Sequence, residues 1–136
     1  MAARRQRGEP SRDEPGRLLT PVELELMTIL WRLGEGTVHA VLEALPPPRR
    51  LAYTSVSTML RILEQKRFVR SRKEGRGHVY LPIVAKSEYE RTAIRQVVGR
   101  VFDGAAVSLV RRLVEAETLT KAELEAIREI IRKAAR

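Results

Sequence analysis

The chain has 136 residues, no cysteine and a net charge of +9. That length suggests one domain, or a small domain with an oligomerisation arm, and the missing thiols exclude disulfides, zinc fingers and thiolate metal sites. No apolar run approaches the roughly 18 residues of a membrane span, and the N-terminus lacks the apolar core of a secretion signal, so a cytoplasmic protein is expected.

The charge is concentrated. Residues 49–80 hold nine Lys and Arg against two Glu, or +7 of the total. A localised basic block is the electrostatic footprint of a polyanion binder. Residues 1–17 are polar, contain Gly8, Pro10, Pro15 and Gly16, and show no apolar periodicity. A disordered basic tail is expected there.

The first helix has a clear start. Thr20 is placed as N-cap, Pro21 at the first helical position, and Glu23 completes a capping box. Met27, Leu30 and Trp31 continue its apolar face, and Gly34 ends it. A second, shorter helix runs from about Val38 to Leu45, capped by Thr37 and stopped by Pro46, Pro47 and Pro48.

The third helix, about Thr54 to Lys66, turns Val56, Met59, Leu60 and Leu63 inward. Thr54, Thr58, Arg61 and Gln65 recur at i, i+4, i+7 and i+11 and share the outward face. Tyr53, Ser55 and Ser57 flank the start of this stripe. A solvated face usually carries long mixed charges. Short hydroxyls let the backbone approach a major groove, where Ser and Thr bond base edges and Arg forks onto guanine.

Next comes VRSRKEGRGHVY, residues 69–80. Two strands, Phe68 to Lys73 and His78 to Ile83, are expected around a turn freed by Gly75 and Gly77. Val79, Leu81 and Ile83 are read as the inward residues of the second strand, alternating with His78 and Tyr80. Helix, helix, helix, hairpin is the order of a winged helix. Arg72, Lys73, Arg76 and His78 are the expected phosphate contacts of its wing.

The last third changes character. Ser87 with Glu90, and Thr120 with Glu123, are read as further capping boxes. Between and beyond them lie three short amphipathic helices, interrupted at Asp103 and Gly104. Ile94, Val97, Val98, Val101, Phe102, Val110, Leu113, Leu124, Ile127 and Ile131 line their apolar faces. Either these faces pack back onto the winged helix or they meet a second copy; dimerisation is the favoured reading. The expected fold is therefore mainly α with a small β-hairpin. It comprises a tail at 1–17, a winged helix-turn-helix at 18–84, and a three-helix dimerisation arm at 85–136.

Four stretches carry a family likeness: LTPVELELMTILWRLG (19–34), LAYTSVSTMLRILEQK (51–66), EGRGHVYLPIV (74–84) and SEYERTAIRQVVGRVFDGAAVSLVRRLVE (87–115). Together they resemble the penicillinase and methicillin-resistance repressor family. The resemblance implies a homodimeric winged-helix repressor acting on a palindromic operator with TACA and TGTA half-sites. It also implies a membrane sensor protease as partner, with cleavage in the arm; the matching bond here is Arg112-Leu113. The chain departs from the family at Ile62, where an arginine is common. It also lacks the C-terminal cysteines of a copper-responsive branch, and has Arg-Leu in place of the Asn-Phe that is cut in staphylococcal members.

Rival functions are weaker. His39 and His78 are the only histidines, and no HExxH, phosphate loop or nucleophile elbow is present, so no catalytic residue, metal or cofactor is expected. A sequence-independent nucleic-acid packer would satisfy the charge but not the hydroxyl face. It would also be expected to carry aromatic stacking platforms, and none is seen. A protein-only module leaves the basic block unexplained.

Overall fold

The computed structural model describes residues 18–116 and 118–136; the expected tail lies outside them. The elements run α1 (Pro21–Leu33), β1 (Gly36–Thr37), α2 (Val38–Ala44), α3 (Tyr53–Gln65), β2 (Val69–Glu74), β3 (Gly77–Pro82), α4 (Lys86–Val101), α5 (Ala106–Glu115) and α6 (Lys121–Ala134). The chain forms two compact units that divide between Ala93 and Ile94, inside α4.

The first unit is built on local signals that agree with its packing. Thr20 caps α1 and Glu23 returns the bond to the Thr20 amide, with Pro21 at the helix start. Gly34 leaves the helix at φ +86°, which only glycine adopts without strain, and its amide bonds the Leu30 carbonyl. Thr37 caps α2 through the Ala40 amide. Leu26, Met27 and Leu30 from α1, Val41 from α2, and Val56, Leu60 and Leu63 from α3 are fully buried with Phe68. Each such side chain contributes roughly 2 kcal/mol of apolar burial, so one face of α3 is fixed against the rest of the unit.

The sheet has three strands in the order β1-β3-β2, all antiparallel. Pattern reading expects only the hairpin, because a two-residue strand is too short to show a period. Gly36 pairs with Tyr80 and Thr37 with Val79, so β3 is central. The inward set on β3 also differs from expectation. Tyr80 joins the core cluster, whereas Ile83 is 53% exposed. The aromatic ring buries more apolar area than its aliphatic neighbours. After Pro82 the ladder ends, with the Ile83 and Val84 amides both donating to the Phe68 carbonyl, and Val84 turns into the core instead.

A buried carboxylate ties α1 to the end of α3. Glu23, 1% exposed, accepts from the Thr20 amide through Oε1 and from Lys66 Nζ through Oε2, at 2.8 and 2.5 Å. Burial alone would raise the Glu23 carboxyl, but the Lys66 ammonium and the Thr20 amide outweigh it and hold the group below the usual carboxylate range. Lys66 is the C-cap of α3, and the next residue, Arg67, turns the chain at φ +65° into β2.

The start of α4 belongs to the first unit. Tyr89 is buried, its ring 5.8 Å from Trp31 and 6.1 Å from Phe68, and its hydroxyl accepts from the Leu19 amide. Trp31 in turn donates to the Val84 carbonyl at 2.9 Å. Helix α4 begins at Lys86, so Ser87 lies within the first turn and the expected Ser87 capping box does not form. In the second unit α4 ends before Asp103 and Gly104, both at positive φ, and α6 opens on the expected Thr120 and Glu123 capping box. Among the described residues, α5 and α6 bury none of their side chains.

Because Glu23 titrates lower when folded, its contribution to stability is full above the ordinary carboxylate range and is lost as pH falls through the depressed value. Lys66→Met strands a buried carboxylate, and we expect a loss of about 3 kcal/mol at neutral pH. Urea titrations across pH should show that the gap from wild type narrows on acidification. A gap independent of pH contradicts the assignment.

Candidate nucleic-acid interface

The basic segment folds as α3 and the β2–β3 hairpin. Residues 71 to 74 of β2 pair in register with 80 to 77 of β3, Ser71 opposite Tyr80, Arg72 opposite Val79, Lys73 opposite His78 and Glu74 opposite Gly77. Only Gly75 and Arg76 remain for the turn. Gly75 has φ +60° and Arg76 does not have positive φ, the arrangement of a type II′ hairpin turn with glycine first. Gly77 is the first residue of β3, with no such requirement.

On α3, Tyr53, Thr54, Ser55, Thr58 and Arg61 are exposed and Ser57 is half-buried. Ala52 precedes the helix and makes no side-chain cap, so the first-turn amides lack a capping acceptor. A cleft of about 320 Å³ separates α3 from the wing. Tyr53, Ser57, Arg61, Arg76 and His78 line it, as do Glu64, Ser71 and Tyr80, which sequence reading missed. The helix face turned to the wing is therefore 53, 57, 61, 64, one row over from the expected stripe of 54, 58, 61 and 65. Arg61 lies on both rows. The spacing i, i+4, i+8, i+11 from Tyr53 carries the signal for Glu64, but a carboxylate in a basic segment reads as ordinary surface. Tyr80 sits at the back of the cleft, its phenol raised by burial first and by the nearby Glu64 charge second.

The wing cations are not equivalent. Lys73, on β2, and Arg76, in the turn, are exposed and make no ion pair among the described residues. Arg72, expected as a phosphate contact, is occupied. Its guanidinium donates to both oxygens of Glu35 at 3.1 and 2.5 Å and to Glu74 at 3.2 Å. The hydrogen bond with Glu35 is the main cause holding Arg72 above its usual range, and the reciprocal bond holds Glu35 below its own. Ser71 donates to Glu64 at 2.6 Å, joining the wing to α3. Ile62, at the family's arginine position, is half-buried, whereas Arg61 beside it is exposed.

In the second unit, Ile94, Val101, Val110, Leu113, Leu124 and Ile131 are exposed, and Val97, Val98, Phe102 and Ile127 are half-buried. Val107, Val114 and Ile130 extend the exposed apolar surface. The Arg112-Leu113 bond lies inside α5; the Arg112 carbonyl accepts from the Ala116 amide at 3.0 Å, and its side chain bonds Glu115 at 2.7 Å. A protease that takes an extended substrate must unwind α5 to reach it. Among the described residues, no helix is long and apolar enough to cross a membrane and no acidic, histidine or cysteine group is placed to hold a metal ion.

A family model described as Penicillinase repressor matches residues 19–133. The methicillin resistance regulatory protein MecI of Mammaliicoccus sciuri is 25% identical, over 85% of this chain and 94% of that protein. The penicillinase repressor of Bacillus licheniformis is 26% identical, over 83% and 88%. The transcriptional regulator BlaI of Mycobacterium tuberculosis is 35% identical, over 79% and 86%. Among solved structures, the DNA-binding domain of the repressor BlaI is 28% identical with a TM-score of 0.49, covering 56% of this chain and 93% of that one. The monomeric form of Bacillus licheniformis BlaI in complex with the blaP half-operator has the same identity and coverage, with a TM-score of 0.47.

Proposed function

The chain belongs to the penicillinase repressor family, and from that premise we propose that it is a homodimeric, sequence-specific DNA-binding repressor. Helix α3 enters the major groove of each half of a palindromic operator, and the wing meets the flanking phosphates. The observation that carries this reading is the exposed hydroxyl face of α3 beside a cleft that brings Arg61 of the helix together with Arg76 and His78 of the wing.

Each part has a separate task. The hydroxyls of Thr54, Ser55 and Thr58 are short enough to let the α3 backbone approach base edges. Arg61 supplies the bidentate donor, and each TACA or TGTA half-site offers one guanine to receive it. Lys73 and Arg76 add attraction that is independent of sequence and weakens with salt. The arm supplies valence. Its exposed Val101, Val110, Leu113, Leu124 and Ile131 favour pairing with a second copy, because two joined readers engage two half-sites with one loss of association entropy. Release of the operator would follow from damage to that arm, with a sensor protease acting near Arg112-Leu113 as the family's own route.

Arg61→Ala should cost about 1–3 kcal/mol on operator DNA and relax the preference at the guanine of each half-site. Binding to random duplex should change far less; an equal loss on both would make Arg61 a phosphate contact only. Val101→Asp places a charge in the apolar interface and should yield monomers in sedimentation, with poor operator affinity. A wild-type monomer at micromolar concentration would sink the dimer.

A further inference from the structure

We propose that Arg72 and Glu35 form a positioning clamp that fixes the wing against the body of the first unit, and that Arg72 is not a phosphate contact. The inference rests on the DNA-binding reading and changes the part played by the central cation of the wing. Both nitrogens of the guanidinium fork are engaged by Glu35, from the loop between α1 and β1, and Glu74 takes a further contact. One cation facing two carboxylates has no surplus charge to offer a phosphate.

The placement of the neighbouring tie gives the clamp its purpose. Successive side chains of a strand point to opposite faces. Ser71 reaches Glu64 on α3, and Arg72, the next residue, reaches Glu35. The strand β2 is thus gripped on both faces at adjacent positions, just below the turn. A two-residue turn on a free two-stranded ribbon would swing, and its ordering would be charged against binding. Held in this way, Lys73 and Arg76 are presented at a set distance from Arg61, while Glu35 stays behind the tip and Glu74, beside the turn, is matched by Arg72. Glu35 stands outside the basic segment and carries no DNA-facing role of its own; it acts through Arg72.

The test uses the full chain and fluorescence anisotropy over a salt series. The two probes are a duplex bearing the TACA and TGTA half-sites and a random duplex. Wild type, Arg72→Gln, Glu35→Gln and the double variant are compared; both sites are about half exposed, so folding should survive. A clamp predicts that either single variant weakens binding several-fold, that the double variant is no worse than either, and that the salt slope stays unchanged. A phosphate contact predicts instead that Arg72→Gln lowers the slope by about one unit and Glu35→Gln strengthens binding to every duplex. That result, or full affinity in all three variants, overturns the clamp. Equal wild-type affinity for the two probes would overturn sequence-specific repression, while the slopes on either duplex would still decide the clamp.

Discussion

The buried Glu23 carboxylate is the constraint on which the reading surface depends. It caps α1 through Thr20 and holds Lys66 at the far end of α3. A helix that presents side chains to DNA is useful only if its axis and rotation are fixed, since a shift of one residue turns an α-helix by about 100° and carries the outward row away from its target. Apolar packing of Val56, Leu60 and Leu63 sets the rotation. It is less able to set translation along the axis, because apolar contacts carry little direction. An ion pair with both partners ordered supplies that direction, and at the position where Arg67 must turn the chain into the wing.

From that anchor the charge of the first unit sorts into two kinds. Lys66, Arg72 and Arg49 are spent internally on Glu23, Glu35 and Glu25. Arg61, Lys73 and Arg76 form no such pairs among the described residues, and Arg61 and Arg76 border the cleft between helix and wing. The net charge of the basic block therefore overstates the number of cations free for DNA, and the count that should govern the salt slope is smaller. The second unit is assembled on the opposite principle. Its helices are amphipathic, and α6 is capped by Thr120 while α5 has no side-chain cap, yet none of the side chains of α5 or α6 is buried among the described residues. Short helices of this kind draw most of their stability from packing, so a face left open invites a partner.

Much of this was legible in the sequence, and the misses have physical causes. Thr20, Pro21, Glu23 and Gly34 marked α1 because caps are local chemistry, and Thr120 with Glu123 marked α6 for the same reason. The outward residues of α3 followed from a period of 3.6. What was not legible depends on contacts between distant residues. Strand β1 exists only because Gly36 and Thr37 find β3, and the central place of β3 brings Tyr80 into the core. Ser87 has the spacing of a cap, but Tyr89 packs against Trp31 and Phe68, and α4 begins one residue earlier. Arg72 looked like its neighbours Arg70 and Lys73 until Glu35, 37 positions away, was placed beside it.

The central claim is that α3 reads base edges in the major groove while the wing holds the backbone. Methylation interference on a duplex with paired TACA and TGTA half-sites addresses it directly, because methylation at guanine N7 obstructs the major groove without altering the phosphates. The account predicts interference at the guanine of each half-site, symmetric about the operator centre. Its loss in Arg61→Ala should leave the salt dependence set by the wing in place. Binding indifferent to guanine N7, or blocked only by methylation of adenine N3 in the minor groove, would contradict it.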